Sequence, residues 1–497
     1  MIDTLQQITG LNLYPASVQH GETGTYFLGR RRRDSGDWEK LVGCSGCAPG
    51  GCLPNVKKVG EVEGQCVCVG PCDHQNAVAL RTLLPWSAPV CLGLATSAGL
   101  GDRLGLATPG HVRSIRDTNA RPVFAQQSIR EMTRTRRTPD QVMDAATYGV
   151  IQEGYTGGFG SDADHLQQPE DIAATVEAGF TMFTIDPGLH VNDDADTMAP
   201  ALLAEKLKQL DLDALGATAA DLAARYAGKT FDLADGTSLA IDETAFLRAA
   251  VKYGCAIAHV ARMYETLRGA ASGDFELEVS VDETNSPTSP AEHYFIAAEL
   301  KRLGIAWVSL APRFLGRFEK GVDYIGDIDA FAADFARHVA VMRTLGPYKL
   351  SIHSGSDKFS IYPVIAELTG GLVHLKTAGT SYLEALRTAA ACEPGLFREI
   401  YDFAREHYDA DRRTYHVSAE MSKVPPTSEL SDDELAGRLD DFDARQAMHC
   451  TFGSVLTADD GKLFADRLLT CLAEHEQEHY ANLARHLGRH IAPFTQR

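Results

Sequence analysis

From Pro89 onward the chain alternates short apolar, strand-like runs with stretches of helical periodicity, and it does so eight times. The runs are Val90–Ala95, Pro122–Gln127, Gly158–Asp164, Phe180–Asp186, Phe275–Asp282, Trp307–Pro312, Lys349–His353 and Leu372–Thr377. Between them, segments such as Pro290–Leu303 and Ile328–Leu345 repeat apolar residues at helix spacing. Strands that run parallel must be joined by crossovers, usually helices. Eight such units over about 290 residues fit a TIM-like (β/α)8 barrel, which usually takes about 250. The expected fold class is therefore α/β.

The remainder is read as appendages to that barrel. Residues 1–85 form a small α/β region, with a helix near Asp3–Ile8 and a strand around Tyr26–Gly29. The barrel is expected over 86–385, interrupted at about 188–247 by an Ala- and Leu-rich stretch read as a helical insertion. Residues 386–497 read as a helical extension.

Composition removes several function classes. A net charge of −20 argues against nucleic-acid binding, and the Arg30–Arg33 run is followed by Asp34, Asp37 and Glu39, so it reads as a solvated turn. No run of about 18 apolar residues occurs, so no membrane span is expected. The N-terminus shows no basic region followed by an apolar one, and a cytoplasmic location is expected. Six of the 11 cysteines fall between Cys44 and Cys72, at spacings that match no zinc or iron–sulfur pattern. Free loop thiols are preferred to a metal site, and the odd count argues against a disulfide framework.

Chemistry concentrates at the strand ends. Lys349–His353 and Leu372–Thr377 each lead into a Gly-containing turn and each carries one histidine. Alternation puts His353 on a face with Lys349 and Ser351, and His374 with Lys376. Asp162, Asp164 and His165 close the third run, and Glu276, Glu278, Ser280 and Asp282 share one face of the fifth. Carboxylates inside a barrel are costly unless a cation accompanies them. Gln127, Ser128 and Glu131 follow the second run, and Arg313 follows the sixth with a guanidinium suited to an anionic group. Imidazoles and carboxylates at one mouth suggest a divalent metal: zinc, manganese or nickel by ligand type.

Two motifs are set aside. His475-Glu-Gln-Glu-His479 has the zincin pattern, but only 18 residues follow it to supply a third ligand, and an exposed amphipathic helix is expected. Gly99–Gly105 misses the dinucleotide fingerprint and reads as a turn.

At the same strand ends the chain resembles the bacterial tagaturonate/fructuronate epimerase family. The resemblance rests on Gly101–Gly105, Phe124–Ser128, Gly158–His165, Phe180–Pro187, Glu278–Thr284, Glu319–Asp323, His353–Phe359, Lys376–Glu384 and Tyr415–Ala419. It covers about 90 to 490 and is weaker over 1–85. Ser161 stands where the family often has alanine. The resemblance implies a metal-dependent isomerase that interconverts the C4 epimers D-tagaturonate and D-fructuronate in hexuronate breakdown. It implies Asp164 as proton acceptor, Glu278 as proton donor, and His165, His353 and His374 as metal ligands. Gln127, Ser128, Glu131, Arg313, Asp357 and Lys376 are the expected substrate contacts. A neutral ketohexose 4-epimerase, a metal-dependent aldolase and a non-catalytic sugar-binding relative are the alternatives. The partner is a small ketose or ketouronate, with self-association into a homo-oligomer left open.

Overall fold

The computed structural model describes residues 1–210 and 212–495. Asp211, in the expected insertion, and Gln496 and Arg497, at the end of the expected extension, lie outside the described residues.

Eight parallel strands close into a barrel: β1 (Ser97–Gly99), β2 (Arg121–Ser128), β3 (Gly160–Leu166), β4 (Met182–Ile185), β5 (Glu276–Val281), β6 (Ser309–Pro312), β7 (Lys349–Ile352) and β8 (Val373–Lys376). Strand β8 pairs with β1, which completes the ring. Helices that matter below are α1 (Ile129–Thr135), α2 (Glu243–Ala270), α3 (Thr380–Cys392), α4 (Phe442–Cys450) and α5 (Glu476–Ile491). The α/β barrel expected from the alternating runs is the fold observed.

Seven strands overlap their expected runs; the first does not. Val90–Ala95 is irregular, and the barrel strand is Ser97–Gly99. Val90 and Leu94 are exposed, and Gly93 turns the chain at φ +60. The true strand is buried yet built of Ser, Ala and Gly, which give no apolar signal.

In the N-terminal region a helix at Ile2–Thr9 packs on an antiparallel sheet. The arginine run is strand rather than turn, because Gly24–Arg32 pairs along its length with Trp38–Ser45. Arg30 and Arg32 stack over Trp38 and pair with Glu476 and Glu474, while Glu39 answers Arg31 and Arg33. Cys44 and Cys68 face each other across neighbouring strands, and no cysteine belongs to a metal-ligating group among the described residues. Cys47 and Cys52 are joined as a disulfide, contrary to the expectation of free thiols. The Gly46 and Gly50 turns, both at positive φ, bend this loop back on itself.

The insertion is not purely helical. Helices at Pro200–Gln209 and Ala219–Tyr226 precede a hairpin, Lys229–Asp232 with Ser238–Ile241, before the 28-residue α2. The helix α5 is not the exposed helix expected: Glu476, His479, Tyr480, Leu483, His486 and His490 are buried on one side of it. His475 lies outside it as N-cap, so the two zincin histidines do not share a helical face. Of the Gly99–Gly105 segment, Gly99 closes β1 and only Leu100–Gly105 turns, with Asp102 accepting the N–H groups of Leu104, Gly105 and Ala107. No described helix is long and apolar enough to cross a membrane.

Candidate active site at the carboxyl end of the barrel

Strand alternation fills the barrel axis with polar side chains in three levels. At the lowest, Lys349 donates to Ser97 Oγ at 2.9 Å, and Ser97 Oγ lies 2.8 Å from His374 Nδ1. In the middle, the Lys376 ammonium contacts Asp162 and Glu278 at 2.8 Å and Asp164 at 2.7 Å, and donates to Thr184 Oγ1 at 2.8 Å. Ser309 donates to Glu278. At the top, His353 Nε2 sits 2.6 Å from Glu278 and its Nδ1 3.1 Å from Asp282.

His165 reaches this level by a backbone departure. Its neighbour Asp164 points inward, so alternation would turn His165 away; a left-handed φ of 54 brings its ring round instead. Its Nδ1 then meets Asp186 at 3.1 Å, and the His165 and His353 rings stand 5.0 Å apart. Asp164, His165 and His353 bring one ligand atom each within 4.8 Å of one another. Gln126 donates to the second oxygen of Asp164 at 2.8 Å.

The electrostatics follow from burial and charge count. Six carboxylates (Asp162, Asp164, Asp186, Glu276, Glu278, Asp282) face two lysines, Lys349 and Lys376. Burial opposes charge on Lys376, but Asp162, Asp164 and Glu278 outweigh it and hold its pKa well above the ordinary value. Burial raises Asp162. It would raise Asp164 and Glu278 too, but Lys376 and the neighbouring imidazoles hold both below the usual carboxylate range. Burial also disfavours protonated histidine, yet Asp164 and Asp186 lift His165 to about 10, and Asp282 and Glu278 lift His353 to about 9. The barrel thus gathers positive charge around its excess carboxylates. His374, remote from most of them, is pushed down to about 3 by burial.

Asp164, Glu278, His165, His353 and Lys376 therefore converge. His374 lies on the level of Ser97, outside the three-residue ligand group, with Nε2 unpaired. Gln127 is buried with its amide unpaired, while its neighbour Gln126 holds Asp164. Ser128 and Glu131 form the capping box of α1, and Glu131 also accepts Arg103 at 2.9 and 2.6 Å. Arg313 lines a cavity of about 420 Å³ at the mouth, beside Asp282 and His353. Asp357 faces away, into Arg445, His486 and His490. Thr184, Ser309, Ser97 and Asp186 were not singled out by sequence reasoning. Asp186 ends a strand run and had that signal; the three hydroxyls had none. Nor did the sequence show that Thr414–Ser418 of the extension wall the same cavity.

The sequence profile described as tagaturonate epimerase matches residues 14–494. A tagaturonate/fructuronate epimerase of Thermotoga maritima is 42% identical over 97% of this chain and 96% of its own. The native crystal structure of fructuronate-tagaturonate epimerase UxaE from Cohnella laeviribosi superposes with a TM-score of 0.90 at 35% identity, covering 99% of both chains. The same enzyme with two glycerols gives 0.91 at 35% identity over the full length of both. A barrel with one polar mouth, matched along its whole length, makes this chain an epimerase, hence an isomerase, and a member of the tagaturonate epimerase family.

Proposed function

We propose that the chain is a divalent-metal-dependent 4-epimerase that interconverts D-tagaturonate and D-fructuronate. The observation that carries this reading is the meeting of Asp164, His165 and His353 directly above Glu278 and Lys376. The donor set fits zinc, manganese or nickel. Asp186 and Asp282 each hold one Nδ1, the usual support for ligating histidines; His165 Nε2 lies 3.8 Å from Asp164, and His353 Nε2 would exchange its 2.6 Å contact with Glu278 for the cation. The surplus of carboxylates also favours a dication there. Asp164, His165 and His353 would hold the metal; His374 belongs to a lower level, and we do not assign it. When bound, such a cation supplies Lewis-acid polarisation of substrate oxygens.

The substrate restricts the proton chemistry. Its ketone is at C2, so the C4 hydrogen is not α to it and its removal yields no enolate. A retro-aldol route avoids this difficulty. The C4 hydroxyl loses its proton, the C3–C4 bond breaks, the aldehyde fragment rotates, and the bond re-forms on the other face. Asp164, ionised beside Lys376, is in the state of a base. Glu278 is ionised too, so it acts as acid only after taking up a proton, and Ser309, His353 and Lys376 all contact it for that purpose. Arg313 at the mouth steers an anionic substrate inward.

The test is turnover of D-tagaturonate by metal-loaded protein in D2O. D-fructuronate without deuterium at C4, and loss of turnover on chelation, are expected. Stoichiometric deuterium at C4 would refute the retro-aldol route. Inversion and label at C3 would make the enzyme a 3-epimerase, and free three-carbon fragments an aldolase.

A further inference from the structure

Helix α3 begins four residues beyond Lys376, and its N-cap is Gly379, at φ +99, with no side chain capping the first turn. The first-turn N–H groups carry the positive end of the helix and favour an anion. Two buried side chains with unused polar atoms stand against them. His449, 1% exposed, pairs neither ring nitrogen. Arg103, 4% exposed, holds Glu131 through Nε and Nη2 but leaves Nη1 unpaired. Both are aimed at the helix start: a Cβ built on Gly379 would meet His449 Nε2 at 2.4 Å and Arg103 Nη2 at 2.9 Å.

Lys320 completes this corner. His449 Cδ2 borders Gly321, the next residue, at 3.4 Å from where its Cβ would be. The Lys320 ammonium donates to Ser354 Oγ at 2.6 Å, beside His353, and lines the mouth cavity. Among the described residues no carboxylate pairs with it. Arg130 and Arg317 in the same cavity wall are answered by Glu283 and Glu319. Burial, then Arg103, Lys320 and Arg445, hold the His449 pKa well below its ordinary value, so the ring stays neutral in a positive surround. Buried polar atoms in native proteins have partners, and these lack one.

We propose that Lys320, Arg103, His449 and the α3 N-terminus receive the carboxylate of the substrate and so select uronates over neutral ketoses. This rests on the reading of the chain as a ketouronate epimerase. The chemistry matches, because a helix N-terminus with Lys and Arg is a carboxylate site. The position matches too. The carboxyl carbon is two bonds from C4, so it must lie close to the reacting atoms. Gly379 continues from Lys376, and Lys320 touches the residue after His353.

The test is calorimetric titration of metal-loaded protein with D-galactonate and with galactitol, an acid and a neutral polyol of like size. The native protein should prefer the acid. Lys320→Met should weaken galactonate by about 10–100-fold, the worth of one charged hydrogen bond, and leave galactitol unchanged. His449→Leu should shift the same ratio in the same direction, and Lys320→Gln replaces the Met variant if that one does not fold. No preference in the native protein, or equal weakening of both ligands, overturns the proposal. A selective loss in a protein that does not epimerise D-tagaturonate would keep the anion site and discard the epimerase reading; epimerisation without selectivity would do the reverse.

Discussion

Among the described residues two Asp–His–His groups could hold a metal ion, and we propose that only the one at the barrel mouth does. Asp164, His165 and His353 sit at the barrel mouth; Asp357, His486 and His490 sit where a barrel loop meets α5. In the second group the bonding capacity is spent. Arg445 pairs with Asp357 at 3.0 Å, and His486 takes the other oxygen at 2.7 Å. His490 accepts the Asp357 N–H at 2.8 Å and donates to the His486 carbonyl at 3.0 Å. In the first group no arginine intrudes: Asp186 and Asp282 hold the rear nitrogens, Glu278 meets His353 Nε2 at 2.6 Å, and Lys376 pairs with Asp164 at 2.7 Å. Donor identity is the same in both; what differs is that an arginine closes the second group, whereas the first opens on the mouth cavity through His353.

The largest effect that would break this comparison lies beside the first group, at Glu278, which contacts His353. Glu278→Gln keeps the shape but not the proton chemistry, and turnover should fall on the order of 10²–10⁴-fold in steady-state assays. Full activity would remove Glu278 from the mechanism. His165→Ala and His353→Ala should each weaken metal binding by at least about 10–100-fold, the loss seen when only a supporting residue is removed. Undiminished metal content in either would unseat the ligand set.

Lys376→Met sharpens the account of charge. It leaves three buried carboxylates without their shared cation, which should cost about 3–5 kcal/mol in denaturant unfolding of the metal-free protein. A neutral result would mean those carboxyl groups are protonated in the fold.

The second group predicts a pH response. Burial lowers the His490 pKa to about 3, below the unfolded value near 6.5. The unfolded chain therefore takes up a proton that the folded one refuses. Stability falls as pH drops from about 6.5 towards 3, by up to about 1.4 kcal/mol per pH unit from this residue. His490→Phe should melt lower at neutral pH, having orphaned the Asp357 N–H, but with a shallower acid slope. An unchanged slope would show His490 to be charged in the native state. Smallest of all, Cys47→Ser with Cys52→Ser should leave kcat and KM for D-tagaturonate unaltered, the loop lying in the N-terminal sheet region rather than in the barrel mouth.

What was legible in the sequence follows from the same physics. Period-two alternation gave seven strands and set Glu278, Lys376 and His353 facing the axis, because a buried polar face is visible against apolar neighbours. The strand Ser97–Gly99 was invisible because small residues carry no period. His165 was placed correctly at the strand end, although the left-handed turn that aims it is not written in any pattern. Asp357 follows His353 closely and looked like a rim residue. Its partners come from α4 and α5, about 90 to 130 residues away, and no local rule reveals them. Ser128 and Glu131 are spaced as a capping box, which is what they form.

The most direct test of the central claim is the bound-metal stoichiometry of purified protein, read alongside turnover of D-tagaturonate, for the native chain, His353→Ala and His490→Phe. The account predicts one divalent ion per chain in the native protein and in His490→Phe, both active, and loss of ion and activity together in His353→Ala. A second ion that disappears with His490, or full activity in a His353→Ala protein without metal, would contradict it.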